Sequence, residues 1–400
     1  MSTHAPLQII VDSLAADIGR DVAIDDRQIR WLVHSPHDEE PDEARMRSIL
    51  SRRVSAEALE WAFSFGIEEA DGPVRLPANP DIGAEARLCI PLRARDVLLG
   101  FMFIVDPEET LDAAQIAQAQ EASAAAAHVL YRERRLRELE RERERWLLTH
   151  LLGDDALDAE DAARALADEG FLDAGRVAVL VIRADEEPAR CEIAVGGALD
   201  RLRRLVPPRG GVELRLGDHG VFVIALDDAA TASPRDLAER LISLADEAMQ
   251  AESIDVVTRV GVGGAEPLPA ASRSYRQARD AATVAQRVAR FGRVAAWDEL
   301  GVYRTLARFP GDLDDDALHP GLVELLRDGA HDQLVETLEA YLDRAGDIKA
   351  TSEALSLHRA TLYYRLQKIE EITGARLKAG EDRLALHLSL RLSRLGRRES

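Results

Sequence analysis

The sequence predicts an α+β protein of several domains that ends in an all-α helix-turn-helix segment. Three observations predict this. At 400 residues, with 46% apolar and 31% charged, the chain can fill two to four cores and is too apolar to be disordered. Short apolar strands alternate with helical stretches as far as Arg308. Beyond an acidic Gly/Pro loop, Phe309-Pro-Gly-Asp-Leu-Asp-Asp-Asp316, every periodic segment is helical.

The first domain, 1–130, opens with helical spacing over Leu7–Ile18 and short strands at Asp21–Ile24 and Arg30–His34. A polar loop, His34–Glu40, precedes a helical stretch from Asp42 to Phe65. Apolar strands Ala86–Leu92 and Val97–Val105 flank Arg93-Ala-Arg-Asp96, which suits a hairpin. Leu111–Leu130 returns to helix, without Pro or Gly, and runs into a charged linker helix, 131–153. In Tyr131–Arg145, 12 of 15 residues are charged, and Glu133/Arg137 and Glu140/Arg143 have spacings that support an exposed helix. Val129 and Leu136, and then Leu139 and Trp146, lie seven apart and form a thin apolar seam. That seam fits either a twin helix in a dimer or a solvated linker.

The next domain, 154–308, carries strands at Arg176–Ile182, Gly211–Leu216, Gly220–Leu226 and Val256–Val262. Helical stretches at Ile193–Leu205, Pro234–Gln250 and Ser272–Ala289 intervene, with a last short strand at Val294–Trp297. This order predicts an α+β sandwich around a sheet that contains antiparallel pairs. Gly261-Val-Gly-Gly264 lacks dinucleotide-binding spacing and is expected to be a turn.

In the last domain, 309–400, Gln333–Arg344 is amphipathic, with Leu334, Leu338 and Leu342 on one face. Gly346 stops it and Asp347 can cap the next helix, Ile348–Leu355. A turn at Ser356–His358 leads to Arg359–Ile372, whose buried stripe is Leu362, Leu366 and Ile369, and Gly374 ends it. This is the helix-turn-helix rhythm.

Charge supports that identification. The whole chain is acidic, with net charge −21 and pI near 5.0, so nucleic acid is not attracted by the chain as a whole. Within His358–Arg398, however, ten Lys and Arg stand against four Asp and Glu. A basic region confined to the third helix and the segment after it is placed to meet phosphate.

Other chemistry is sparse. Cys89 and Cys191 sit apart in apolar runs and are expected to be buried free thiols. His34 and His37 beside Asp38–Glu40 lack a third imidazole, so no metal site is expected there. No P-loop, HExxH or Gly-x-Ser-x-Gly occurs, and no cofactor is expected. The apolar runs Val97–Val105 and Val177–Ile182 are too short to span a bilayer, and no signal peptide is readable. A cytoplasmic protein with no membrane contact is the expectation.

The run Leu355-Ser-Leu-His-Arg-Ala-Thr-Leu-Tyr-Tyr-Arg-Leu-Gln-Lys-Ile-Glu-Glu-Ile-Thr-Gly374 resembles the carboxy-terminal helix-turn-helix of PucR/CdaR regulators. The match includes His358, Arg359, Thr361, Leu362, Tyr364, Arg365, Leu366, Lys368, Ile369, Glu370, Glu371, Thr373 and Gly374. Asp298-Glu-Leu-Gly-Val-Tyr-Arg304 resembles that family's lead-in. Two positions depart: Ala360 stands where Asn is usual, and Tyr363 where a basic residue is common. Ala360 removes an amide that could pair with adenine, and its methyl could still touch thymine.

The middle domain resembles the degenerate GGDEF-like, nucleotidyl-cyclase-like domain of the same regulators. Its hairpin, Leu214-Arg-Leu-Gly-Asp-His-Gly220, keeps one Gly and one acid, where a cyclase needs paired carboxylates for its metals. The first domain resembles a GAF sensor over Leu92–Val105, Thr110-Leu-Asp112 and the long helix.

The resemblance implies a ligand-responsive, sequence-specific DNA-binding regulator acting as a homodimer, with double-stranded DNA and a small-molecule effector as partners. DNA-contacting residues would be His358, Arg359, Thr361, Tyr363, Tyr364, Arg365, Gln367 and Lys368. The alternative is a nucleotide cyclase or phosphodiesterase with a helical tail, and the missing second carboxylate weighs against it.

Overall fold

A five-stranded antiparallel sheet organises the first of two units, residues 1–142, in the order β2-β1-β5-β4-β3. The computed structural model describes residues 5–35, 54–185, 188–226, 232–308, 316, 318–329 and 331–396. The strands are β1 Val22–Asp25, β2 Trp31–His34, β3 Val74–Leu76, β4 Arg87–Ala94 and β5 Val97–Val105. Period-2 alternation gives this sheet two faces. Leu88, Ile90, Met102 and Ile104 pack against helix Ala5–Ile18 and the start of helix Ala113–Leu151. Cys89, Phe101 and Phe103 point the other way, to Ala62 of helix Ala56–Phe63.

Two expectations shift here. The β4–β5 link is tighter than the expected four-residue turn: Ala94 pairs with Val97, leaving only Arg95 and Asp96 between the strands. Both adopt positive φ, 50° and 64°, the left-handed conformations whose twist matches a two-residue hairpin. The expected helix Asp42–Phe65 begins, among the described residues, at Ala56, where the Ser55 hydroxyl accepts from the Ala58 N–H. Residues 42–53, and the His37–Glu40 stretch, lie outside the described residues.

The charged linker is one continuous helix, Ala113–Leu151. Its alanine-rich start buries Ala119, Ala126 and Ala127 in the first unit, and Val129 packs there too instead of joining the seam. Leu136 and Leu139 remain exposed. The Glu133/Arg137 pair forms at 3.3 Å, whereas Arg143 bonds Glu169 at 2.7 Å and not Glu140. Glu169 follows the helix Ala156–Asp168, a packing partner that spacing along the linker could not reveal.

The second unit, 143–400, is built on a sheet ordered β11-β9-β6-β8-β7, with β10 pairing β6. Its strands are β6 Arg176–Ala184, β7 Gly211–Leu216, β8 His219–Ala225, β9 Thr258–Val262, β10 Glu266–Pro267 and β11 Val294–Ala296. All pairs are antiparallel except β9 with β11. On one face Val177, Val179, Val181, Val221 and Val223 meet the linker's last turns, Leu147, Leu148 and Leu151, and helix Ala271–Arg287. On the other, Leu180, Ile182, Phe222 and Ile224 meet helices Pro188–Arg203 and Pro234–Ala251.

The glycine run 261–264 does not begin as the expected turn. Gly261 lies inside β9, and a Cβ there would stand 2.0 Å from Ala278 O. Glycine lets helix Ala271–Arg287 lie directly on the strand.

Beyond Leu306 the described residues form the helices Pro320–Leu325, Asp332–Asp343, Ile348–Ala354, Arg359–Thr373 and Gly380–Gly396. Leu338, Leu342, Leu362, Leu366 and Ile369 share one core with Leu386 and Leu390 of the last helix, which the motif alone did not delimit. That helix also places Leu395 among Val284, Trp297 and Tyr303 of the preceding segment. No helix among the described residues is long and apolar enough to cross a membrane, and both cysteines are buried outside any disulfide.

Candidate nucleic-acid interface

Local chemistry fixes the third helix of the tail. Asp347 caps the second helix by accepting from Ala350 N–H. Ser356, at φ 53°, turns the chain sharply, and the Leu357 N–H returns to Ser352 O at 2.9 Å. The His358 Nδ1 then accepts from the Ala360 N–H at 3.3 Å, capping Arg359–Thr373. Gly374, at φ 69°, closes the helix.

Leu362, Leu366, Ile369 and Thr373 are buried, so the opposite face is free. Arg359, Ala360, Thr361, Tyr363, Tyr364, Gln367 and Lys368 are all exposed, the two tyrosines at 59% and 68%. These residues therefore all reach solvent: Ala360, Tyr364 and Gln367 lie opposite the buried stripe, Thr361 and Lys368 on one flank, Tyr363 and Arg359 on the other, with two distinctions. Arg365 is half-buried at the margin, donating to Thr337 Oγ1 at 3.2 Å and Gln333 Oε1 at 2.9 Å. Gln367 and Lys368 both reach Glu371, at 3.3 Å and 3.1 Å.

Sequence reasoning passed over Gln333, Thr337 and Glu371 as supporting residues. The i,i+3 and i,i+4 spacings to Glu371 were readable. The pairing of Arg365 with Gln333, across two helices, had no local signal.

The basic count also resolves into two sets. Arg391 and Arg394 bond Glu339 and Asp343 within the domain, and Arg376 bonds Asp382. Arg359, exposed at the first helical position, and Lys368, on the exposed flank, remain turned to solvent. That exposed surface offers two cations and two phenols on a helix braced by its own core, an arrangement fit to lie in a groove of duplex DNA.

The hairpin of the middle domain is chemically different. Gly217 and Asp218 form its two-residue turn, since Leu216 pairs with His219. Arg183 holds one oxygen of Asp218 at 2.9 Å and His219 Nδ1 holds the other at 2.6 Å. Burial pushes the Asp218 carboxyl up, but His219 and Arg183 outweigh it and hold it below the usual range. Burial lowers His219, keeping it neutral, so Nδ1–H donates to Asp218 and Nε2 accepts from the Tyr275 hydroxyl at 2.7 Å. Glu192, Arg215 and Asp218 line a cavity of about 20 Å³ beside the turn, room for roughly one water. Among the described residues no group of three His, Cys, Asp or Glu could hold a metal ion.

Comparison with known proteins places both regions. Residues 334–392 match the PucR C-terminal helix-turn-helix domain, and residues 152–284 the GGDEF-like domain. Both matched regions are similar to domains of PucR/CdaR-type transcriptional regulators. The DNA-binding transcriptional activator AdeR of Bacillus subtilis is 22% identical over 96% of this chain and 92% of its own length. The carbohydrate diacid regulator of Escherichia coli is 34% identical over 30% of this chain and 31% of its own. The purine catabolism regulatory protein of Bacillus subtilis is 44% identical over 16% of this chain and 12% of its own. Short segments thus carry the higher identities. Arg359, Thr361 and Tyr364 lie within the segment matching the PucR C-terminal helix-turn-helix domain, and the Gly217-Asp218 turn within the segment matching the GGDEF-like domain.

Proposed function

We propose that this protein is a PucR/CdaR-type regulator, cytoplasmic and ligand-responsive, that binds a specific DNA sequence as a homodimer. The exposed outer face of helix Arg359–Thr373 carries this reading. One such helix supplies few base contacts, each worth roughly 1–3 kcal/mol. Two copies joined in a dimer would combine them, on half-sites about one helical turn apart. His358, Thr361 and Lys368 would hold backbone phosphates and Arg359 a guanine edge. Tyr363, Tyr364 and Gln367 complete the contacting face. Arg365, bonded to Gln333 and Thr337, would hold the helix at its angle to the domain.

Gel-shift titrations at several salt concentrations test this. Lys368→Ala should weaken binding to all duplexes alike and flatten the salt dependence by about 0.9 per lost phosphate contact. Arg359→Ala should reduce discrimination between operator and scrambled DNA. If both variants and Arg365→Ala bind the operator as the parent does, this helix is not the reader.

The amino-terminal unit, GAF-like in its second half, would be where the effector acts, its signal passing through helix Ala113–Leu151. Repeating the titrations with small metabolites addresses this. A compound that changes affinity for the full chain, but not for one lacking residues 1–130, supports it; regulation that survives the deletion contradicts it.

The middle domain would serve as a scaffold and not as a cyclase. Asp218 is occupied by a guanidinium where metal ions would need free carboxylates. Incubation with GTP and Mg²⁺ or Mn²⁺ should yield no cyclic dinucleotide. Turnover abolished by Asp218→Ala would overturn this.

A further inference from the structure

We propose that the third tail helix reads thymine: Tyr364 and Ala360 form an apolar strip that packs on a thymine 5-methyl group at one position of each half-site. This rests on the DNA-binding reading above and adds what the helix recognises.

At about 100° per residue, Tyr364 lies diametrically opposite the Leu362, Leu366 and Ile369 stripe. It is therefore the residue that enters deepest when the outer face docks. Its ring is 68% exposed and that of neighbouring Tyr363 59%. Two adjacent tyrosines left in water on the outer face of a short helix are surface that a partner would cover. Ala360 stands one turn before Tyr364 on the same face, also exposed, and extends the strip with a methyl group.

The polar groups that could read base edges near the centre are already engaged. The Arg365 guanidinium is turned towards Gln333 and Thr337. The Gln367 amide and Lys368 ammonium are bonded to Glu371. Glu371 also places a negative charge on the outer face two turns beyond Tyr364, which disfavours entry of the turns beyond Lys368 among phosphates and leaves Lys368 at the edge of the contact. The amino-terminal turns are what remains to enter the groove, and their centre is apolar. Of the four base edges in the major groove, only thymine presents a methyl group. The tyrosine hydroxyl can donate or accept, so it adds contact without selecting a base.

Selection of duplexes from a random-sequence pool by the full-length protein would give the half-site. Each enriched thymine is then replaced, one position at a time, by uracil, which lacks only the methyl. At one position per half-site the replacement should weaken binding about fourfold, and about fifteenfold in both half-sites together. Tyr364→Phe should preserve that ratio. Tyr364→Ala should abolish it, with helix content unchanged by circular dichroism. Equal affinity of the parent protein for every uracil-substituted duplex would overturn the proposal, as would a ratio that survives Tyr364→Ala. A pool that yields no enriched sequence overturns the DNA-binding reading itself, and the thymine proposal with it.

Discussion

Replacing Gly261 with valine is expected to lower the stability of the middle domain by about 3 kcal/mol or more. A Cβ at this position would lie 2.0 Å from Ala278 O and 2.3 Å from Ala282 N. Both are backbone atoms of helix Ala271–Arg287, so neither can rotate aside as a side chain could. Strand and helix must separate along the face that buries Val179, Val181, Tyr275 and Ala278, and the apolar area lost there adds to the cost. Urea or thermal melting followed by circular dichroism measures the change. Gly217→Ala is the control, because a Cβ there meets nothing within 4 Å, and its effect should stay within about 0.5 kcal/mol. A Gly261→Val protein as stable as its parent would show that the helix does not lie on the strand this closely.

Arg391→Ala is expected to cost the helix-turn-helix domain about 3 kcal/mol. The Arg391 side chain is only 7% exposed, set between Glu339, at 3.1 Å, and Asp343. Removing it leaves two carboxylates close together, with Arg394 still on Glu339 at 3.0 Å and His387 on Asp343 at 3.1 Å. Both carboxylates keep some access to water, which holds the cost at the low end for a broken buried pair. Burial pushes the Asp343 carboxyl up, but the Arg391 hydrogen bond and charge outweigh it and hold it below its ordinary value. A group depressed in the folded state adds stability that is complete above its unfolded value, about 4 for Asp, and fades as pH falls through the folded value. The gap between parent and Arg391→Ala should therefore be full at neutral pH and shrink below about pH 4. Equal stability at pH 7, or a gap that does not change in acid, would contradict this assignment.

Much of this protein was legible because its signals are local. Strand β7, Gly211–Leu216, fell where alternation placed it, and the buried stripe of Leu362, Leu366 and Ile369 followed from helical period alone. The caps at Asp347 and Gly374 were readable because a cap bonds backbone groups within its own turn. The density of matches from His358 to Gly374 pointed to a PucR-type helix-turn-helix before any fold was known.

What sequence spacing could not show were pairings between residues far apart in the chain. Arg143 has an ideal partner three residues away in Glu140, yet bonds Glu169, because helix Ala156–Asp168 folds back beside it. Helical period places Arg365 near the core margin, yet nothing in it names Gln333 and Thr337, on another helix, as the groups that hold it there. Gly261 suggested a turn from composition, although its lack of a side chain serves a helix that begins ten residues later. Period and capping express forces within a few residues, and the sequence by itself determined the elements and the face they present. Which cation reaches which carboxylate, and where a missing Cβ matters, depends on distances set only when those elements pack. The tertiary structure alone decided those.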